Sequence, residues 1–159
     1  MASKKVTACC KALIEKKWTI TFVESASAGK LNYEFSTVID SGKILIGGMI
    51  CYHPSMKEDL LHIPHGTIKK YTAESAIVTK LMAQNFHRHV KSDICVALTG
   101  LTTPGGSESP TKPVGTIFIH IVFPDKEIAT RLLFNGSPEE ILDQATDAIA
   151  DLILQEAKN

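Results

Sequence analysis

Ser25 is the residue of this sequence whose type and setting most favour nucleophilic chemistry. It follows an apolar, β-branched run at 19–23 and the carboxylate of Glu24, and only small residues follow it directly. Small side chains after a buried strand leave a hydroxyl accessible at the carboxyl end of that strand, where open α/β sheets bind their ligands. Ser25 is therefore a candidate nucleophile. The alternative is that Glu24, Ser25 and Ser27 only cap the following helix.

Lys57 is the candidate base for this serine. Pro54 suits the first turn of a helix, which would put Lys57 in the same turn. Because the amino end of a helix is positive, its field and any burial would lower the pKa of the lysine. A neutral amine can then remove the proton of a serine hydroxyl, and Tyr52 would relay a proton or hold Ser25 and Lys57 in register. The alternative is an exposed lysine beside a half-buried tyrosine.

A long polar loop at 101–113 is a third segment with functional potential. It contains Gly105, Gly106, several hydroxyls and Lys112. Consecutive backbone amides in such loops bind anions, so this composition predicts an anion-binding segment. The alternative is a flexible loop without a ligand.

The composition is that of an ordinary globular protein, and we expect a single domain over residues 1–159. Seventeen basic and seventeen acidic side chains cancel, which argues against a nucleic-acid surface because phosphate binding needs clustered positive charge. No apolar run has the length of a membrane span and no signal peptide is recognisable. The four cysteines lack metal-ligand spacing, so we expect free thiols, a cytoplasmic location and no metal.

The hydrophobic periodicity predicts a three-layer α/β/α domain with a mixed, partly parallel sheet. The predicted helices lie at 4–17, 28–36, from 54 to about 62, at 72–90 and from 138 onward, and the predicted strands at 19–23, 44–52, 93–98, 114–123 and 127–134. The last two strands should form an antiparallel hairpin. Two glycines, Gly47 and Gly48, lie inside the second strand and indicate a close approach of another backbone or a ligand.

Four segments of the sequence resemble the motifs of the CinA C-terminal domain family, whose characterised members are nicotinamide-nucleotide amidohydrolases. Residues 24–29 are similar to that family's Glu-Ser-Cys-Thr-Gly-Gly, and residues 48–57 to its Tyr-Ser-Asn-x-x-Lys. Residues 98–106 are similar to its Thr-Gly-Ile-Ala-Gly-Pro-x-Gly-Gly, and residues 112–116 to its Lys-Pro-Val-Gly-Thr. The similarity extends over nearly the whole chain.

The resemblance implies that Ser25 is the nucleophile, that Lys57 activates it and that Tyr52 assists. It implies hydrolysis of the carboxamide of nicotinamide mononucleotide, or of a close analogue, to the carboxylate and ammonia. That reaction belongs to pyridine nucleotide salvage and needs neither metal nor cofactor. We expect the partner to be a small pyridine nucleotide or related amide, with no membrane or nucleic acid involved, and a homo-oligomer is compatible with the sequence. The substrate-binding residues that we assign are Glu24, Ser27, Gly29, Gly48, Thr99, Gly100, Gly105, Gly106, Lys112 and Arg131.

The sequence also departs from the family pattern near these residues. Ala26 and Ala28 replace a cysteine and a glycine, and an alanine at 28 would resist a positive φ angle. Pro138 and Leu142 stand where the family has arginines, so we predict poor discrimination between the nucleotide and its riboside. A second hypothesis is a degenerate paralogue that binds a nucleotide or a protein partner without turnover.

Overall fold

The sheet consists of five strands, which a computed structural model of residues 2–159 shows in the order β2-β1-β3-β4-β5. The strands are β1 (Ile20–Glu24), β2 (Leu45–Ile50), β3 (Ile94–Gly100), β4 (Thr116–Val122) and β5 (Glu127–Leu133). The central strand β1 pairs in parallel with both β2 and β3, whereas β4 is antiparallel to β3 and to β5. The sheet is therefore mixed, as predicted, and it ends in the expected antiparallel hairpin.

Helices cover both faces of this sheet. They are α1 (Lys4–Lys16), α2 (Lys30–Ser36), α3 (Pro54–Asp59), α4 (Thr67–Tyr71), α5 (Ala76–His89) and α6 (Pro138–Lys158). On one face, buried side chains of α1, α2 and α6 pack against Phe22 and its neighbours in the sheet. On the other face, α5 packs against Val23 and Ala97. Successive residues of β1 thus enter two separate cores, which explains its continuous apolar sequence and confirms the three-layer prediction.

The segment before α5 differs from the prediction, which began a single helix at residue 72. Thr72 has a φ of +69°, a left-handed conformation that a helix does not continue through. The Oγ of Ser75 accepts a hydrogen bond from the amide of Val78, so the helix begins at Ala76. The short helix α4 precedes this break and was not predicted.

The carboxyl ends of the three parallel strands lie side by side at one edge of the sheet. Glu24 is in register with Ile50 of β2 and with Leu98 of β3. The amide of Ser25 continues this ladder by donating to the carbonyl of Leu98 at 3.1 Å. The residues that follow each strand are therefore close in space although they are far apart in the chain. Among residues 2–159, no helix combines the length and the apolar character that a membrane crossing requires.

Candidate active site

The side chains of Ser25 and Lys57 meet at this edge of the sheet. The Nζ of Lys57 lies 2.9 Å from the Oγ of Ser25, and both residues are buried. Ser25 directly follows β1, and Lys57 reaches it from α3, which follows β2. Because β1 and β2 are parallel neighbours, their ends bring the two side chains within hydrogen-bond distance.

Two backbone carbonyls fix the orientation of the lysine amine. Lys57 Nζ donates to the carbonyl of Cys51 at 2.5 Å and to that of Tyr52 at 3.2 Å. A neutral amine has two N–H groups and one lone pair. When the two N–H groups are used by these carbonyls, the lone pair is left for the hydroxyl of Ser25, which is the arrangement of a base and its nucleophile.

Burial lowers the pKa of Lys57 below its ordinary value of 10.5. The side chain has no exposed surface, so its charged form loses hydration. Nearby Cys51 and Glu74 act in the opposite direction and raise the pKa by a smaller amount. Pro54 begins α3 and Lys57 follows it by three positions, as predicted. A contribution of the helix field to the lowered pKa stays a prediction, because α3 has six residues and Lys57 lies in its last turn as well as near its start.

The carboxylate of Glu24 holds the turn that carries Ser25. It accepts hydrogen bonds from the Oγ of Ser27 and from both the backbone and the side-chain amide of Asn32. It also accepts from the amides of Gly29 and Leu31 at the start of α2. Glu24 therefore caps α2 with the help of Ser27. The capping alternative therefore holds for Glu24 and Ser27, whose side chains hydrogen-bond within the turn and with α2. It does not hold for Ser25, whose hydroxyl contacts Lys57.

Backbone conformation explains the small residues of this turn. Ala28 has a φ of +48° and Gly29 a φ of +102°, both in the left-handed region. Gly29 is the residue before α2 and adopts its positive φ without strain. Ala28 adopts a positive φ at the cost of strain, because it has a Cβ. A Cβ at Gly48 would overlap the carbonyl oxygen of Phe22 and the side-chain amide of Asn32. Gly29 and Gly48 thus allow α2 to approach the sheet closely.

A cleft of about 220 Å³ opens beside Ser25. Its walls come from the ends of β1, β2 and β3 and from the loop after β3. The lining residues are Ser25, Ala26, Tyr52, Glu74, Gly100, Leu101, Thr102, Thr103, Pro104, Gly105 and Gly106. The structure therefore brings the predicted residues Gly100, Gly105 and Gly106 together with Ser25. Thr99 is not among them, because it is fully buried and its Oγ1 lies 2.8 Å from the Oγ1 of Thr79 in α5.

Tyr52 lines the cleft, and its backbone carbonyl accepts a hydrogen bond from Lys57. Its side chain is 67% exposed. Within residues 2–159 the phenol oxygen has no hydrogen-bond partner in common with Ser25 or Lys57. The expected convergence of the three side chains is thus found for two of them, and the catalytic role of Tyr52 stays a prediction.

Lys112 braces the loop from within. Its Nζ donates to the Oγ1 of Thr72, the carbonyl of Glu74 and the Oγ of Ser107, which uses the three donors of an ammonium. Arg131 lies elsewhere: it donates to the carbonyl of Thr111, and its guanidinium lies 5.6 Å from the centre of the Phe118 ring. Neither cation lines the cleft.

Two carboxylates were not predicted from the sequence: Glu74, which lines the cleft, and Glu108, which is exposed on the loop beside it. The Oε2 of Glu74 accepts a hydrogen bond from Ser107. Glu108 accepts from the amide of Gly105 at 2.7 Å, and such amide contacts hold the pKa of Glu108 below its usual value. No motif contains Glu74; its position directly before the cap of α5 is the only local signal that could have drawn attention to it.

Comparison with known proteins agrees with this architecture. The sequence model of the CinA C-terminal domain family matches residues 2–157. A CinA-like protein of Leptospira biflexa is 36% identical over 148 residues, which are 92% of this chain and 35% of that protein. A CinA-like protein of Thermotoga neapolitana is 33% identical over 131 residues, covering 82% of this chain and 32% of the relative. The chain thus spans about a third of the length of these relatives.

Solved structures show the same fold. A CinA superfamily protein from Klebsiella pneumoniae superposes with a TM-score of 0.90 at 22% identity, covering 98% of this chain and 96% of the other. The competence/damage inducible protein CihA from Agrobacterium tumefaciens gives a TM-score of 0.89 at 18% identity, covering 100% and 99%. With the family match over residues 2–157, these findings establish that the chain belongs to the CinA C-terminal domain family.

Proposed function

We propose that this protein is a metal-independent serine–lysine amidohydrolase that acts on the carboxamide of nicotinamide mononucleotide or a close analogue. The observation that carries the proposal is the buried amine of Lys57, 2.9 Å from the hydroxyl of Ser25 at the wall of a cleft. A lysine buried without a carboxylate partner loses its proton more readily, and a base beside a serine hydroxyl is the arrangement that acyl transfer requires. The substrate is inferred from the family motifs around these two residues.

In the first half of the reaction, Ser25 Oγ attacks the carboxamide carbon while Lys57 Nζ takes the hydroxyl proton. The tetrahedral intermediate then collapses: the C–N bond breaks, Lys57 gives its proton to the leaving nitrogen, and ammonia departs. In the second half, Lys57 takes a proton from water, whose oxygen attacks the carbonyl carbon of the acyl-Ser25 ester. The C–Oγ bond then breaks, Lys57 returns its proton to Ser25 Oγ, and the product leaves as the carboxylic acid, which ionises to the carboxylate. The amide of Ala26, which follows the nucleophile and lines the cleft, is a candidate donor to the oxyanion.

Ammonia release from nicotinamide mononucleotide and nicotinamide riboside, followed with the purified chain, tests the proposal. We expect turnover by the unaltered protein and its loss in Ser25→Ala, because a methyl group cannot form the ester. Ser36→Ala is the matched control, since this serine is exposed on α2 away from the cleft, and it should keep full activity. Turnover that survives in a correctly folded Ser25→Ala variant would exclude the serine mechanism.

Binding without turnover is the second function that we consider, and the strained Ala28 and the exposed Tyr52 favour it. The same experiment separates the two functions. Affinity for the nucleotide by calorimetry, without ammonia release under any of these conditions, would assign the chain to the non-catalytic class.

A further inference from the structure

We propose that Glu74 determines substrate specificity and that, together with Glu108, it makes the cleft select an amide on a cationic ring and disfavour a phosphate. The proposal rests on the proposed function and narrows its substrate class. Three independent features of the site support it: a carboxylate in the wall, a loop amide that is already occupied, and cations that point elsewhere.

The first feature is the carboxylate of Glu74 in the wall that also contains Ser25 and Tyr52. Its Oε2 accepts a hydrogen bond from Ser107. Among residues 2–159, no lysine or arginine nitrogen lies within 4.0 Å of this carboxylate. Lys112 is close to it but contacts Ser107 and the Glu74 carbonyl instead, so it offsets the negative charge only in part.

The second feature is the state of the glycine-rich loop. The amides of Gly105 and Gly106 are the donors that a phosphate would need. Glu108 already occupies one of them, because its Oε1 accepts a hydrogen bond from the Gly105 amide at 2.7 Å. An incoming phosphate would have to displace this carboxylate and would then meet its negative charge.

The third feature is the position of the arginines. The chain has two, Arg88 and Arg131, and neither lines the cleft. The guanidinium of Arg131 is held by the carbonyl of Thr111 and the ring of Phe118. Charge-assisted contacts between arginine and phosphate are the usual means of strong phosphate recognition, and this cleft has none to offer.

A carboxylate in a partly enclosed cleft attracts a cation and repels an anion more strongly than it would in water. A carboxamide on a quaternary pyridinium ring suits such a site, because the ring is positive and its amide must point at Ser25. We therefore expect the riboside, which has no phosphate, to be used at least as well as the nucleotide.

The test compares kcat/KM for nicotinamide riboside, nicotinamide mononucleotide and uncharged nicotinamide in the unaltered protein, Glu74→Gln and Glu108→Gln. Glu74→Gln keeps an oxygen for Ser107 and should lower the ratio of riboside to nicotinamide about tenfold, the usual size of one lost charged contact. Glu108→Gln should raise use of the nucleotide relative to the riboside. Glu139→Gln removes the same charge from the exposed first turn of α6 and should change neither ratio.

The ratio to nicotinamide also removes any effect of Glu74 on the base, because a changed pKa of Lys57 acts equally on all three substrates. A riboside-to-nicotinamide ratio that Glu74→Gln leaves unchanged within twofold would overturn the proposal, as would a hundredfold preference of the unaltered protein for the nucleotide. If no substrate releases ammonia, the proposed function fails. Calorimetric affinities of the same three compounds then test whether Glu74 selects the cationic ring. Equal affinity ratios in the unaltered protein and Glu74→Gln, or no binding at all, would overturn the proposal.

Discussion

The Nζ of Lys57 lies 2.9 Å from the Oγ of Ser25, although the two residues are 32 positions apart in the chain. The contact exists because β1 and β2 run in parallel and end together, so that the turn after one strand faces the helix after the other. The carbonyls of Cys51 and Tyr52 hold the amine in this position. Backbone atoms that directly follow β2 thus hold the amine beside Ser25.

Replacing Lys57 tests whether this amine is the base. Lys57→Met should lower kcat by about 10²–10⁴-fold, the contribution of a positioned general base. Lys57→Arg should not restore activity, because a guanidinium stays protonated and cannot accept the proton of Ser25. Steady-state rates of ammonia release measure both, and circular dichroism checks the fold. Substantial activity of a folded Lys57→Met variant would mean that another group is the base.

The activity should depend on pH through the same amine. Only the neutral form of Lys57 can accept a proton, so kcat/KM should rise with pH and level off above the pKa of Lys57. Because burial lowers this pKa, the midpoint should lie below the ordinary lysine value of 10.5. A pH profile measured with a substrate that does not titrate would reveal the midpoint, and a midpoint at or above 10.5 would contradict burial as the cause.

Protein stability should follow the same titration. In the unfolded chain Lys57 keeps its proton up to about its ordinary pKa, whereas in the folded protein it loses the proton at lower pH. Between the two pKa values the unfolded state binds more protons, so the free energy of unfolding should increase with pH in this window. Denaturant titrations at several pH values should show the increase in the unaltered protein relative to Lys57→Met. Parallel curves for the two proteins would show that the pKa is not shifted.

The contribution of the Tyr52 side chain to activity can be tested separately from that of its backbone carbonyl. Its carbonyl contacts Lys57 while its phenol is exposed. Removal of the hydroxyl in Tyr52→Phe should therefore change kcat by less than about threefold, well below the 10²–10⁴-fold of a positioned acid or base. Tyr52→Ala should mainly raise KM, because it removes part of the cleft wall. A hundredfold loss of kcat in Tyr52→Phe would instead assign the hydroxyl a direct role in proton transfer.

Ala28 should be a site where glycine stabilises the protein. A φ of +48° destabilises the folded protein by about 1–2 kcal/mol when the residue is alanine. Glycine relieves this strain, but its greater freedom in the unfolded chain offsets about 0.5–1 kcal/mol of the gain. Because Ala28 is exposed, little packing is lost, and Ala28→Gly should raise the free energy of unfolding by about 0.5–1 kcal/mol. Urea denaturation measures the change. Ala76→Gly, also exposed but at a helical φ, should not stabilise.

Glu24 should contribute to the stability of the fold, although it lies directly beside Ser25. Glu24→Ala would leave five donors at the start of α2 without their acceptor. Buried donors without partners cost about 1–3 kcal/mol each before relaxation, so we expect a loss of at least about 3 kcal/mol in the free energy of unfolding. Glu15→Ala, at an exposed position of α1, is the control and should change stability by less than about 0.5 kcal/mol. A change that small in Glu24→Ala would contradict the capping role.

The sequence by itself determined the five strands, most of the helices and the two candidate residues Ser25 and Lys57. The apolar run of β1 and the small residues after it indicate a buried strand that ends in an accessible hydroxyl, and Pro54 places a helix where Lys57 follows. These features are local: strand, turn and cap preferences depend on residues close together in the chain. The same holds for the glycines of the loop after β3, which line the cleft as expected.

Only the tertiary structure decided which polar side chains face the cleft. Glu24 and Thr99 are sequence neighbours of residues that line the cleft, but their side chains hydrogen-bond to Asn32 and Thr79 instead. Glu74, in contrast, reaches the wall of the cleft from the segment before α5. Lys112 belongs to a loop with the composition of an anion site, yet its three N–H donors form hydrogen bonds within the protein. The physical reason is that a polar group binds whichever partner the fold brings within hydrogen-bond distance, and those partners lie many residues away, where no local pattern records them.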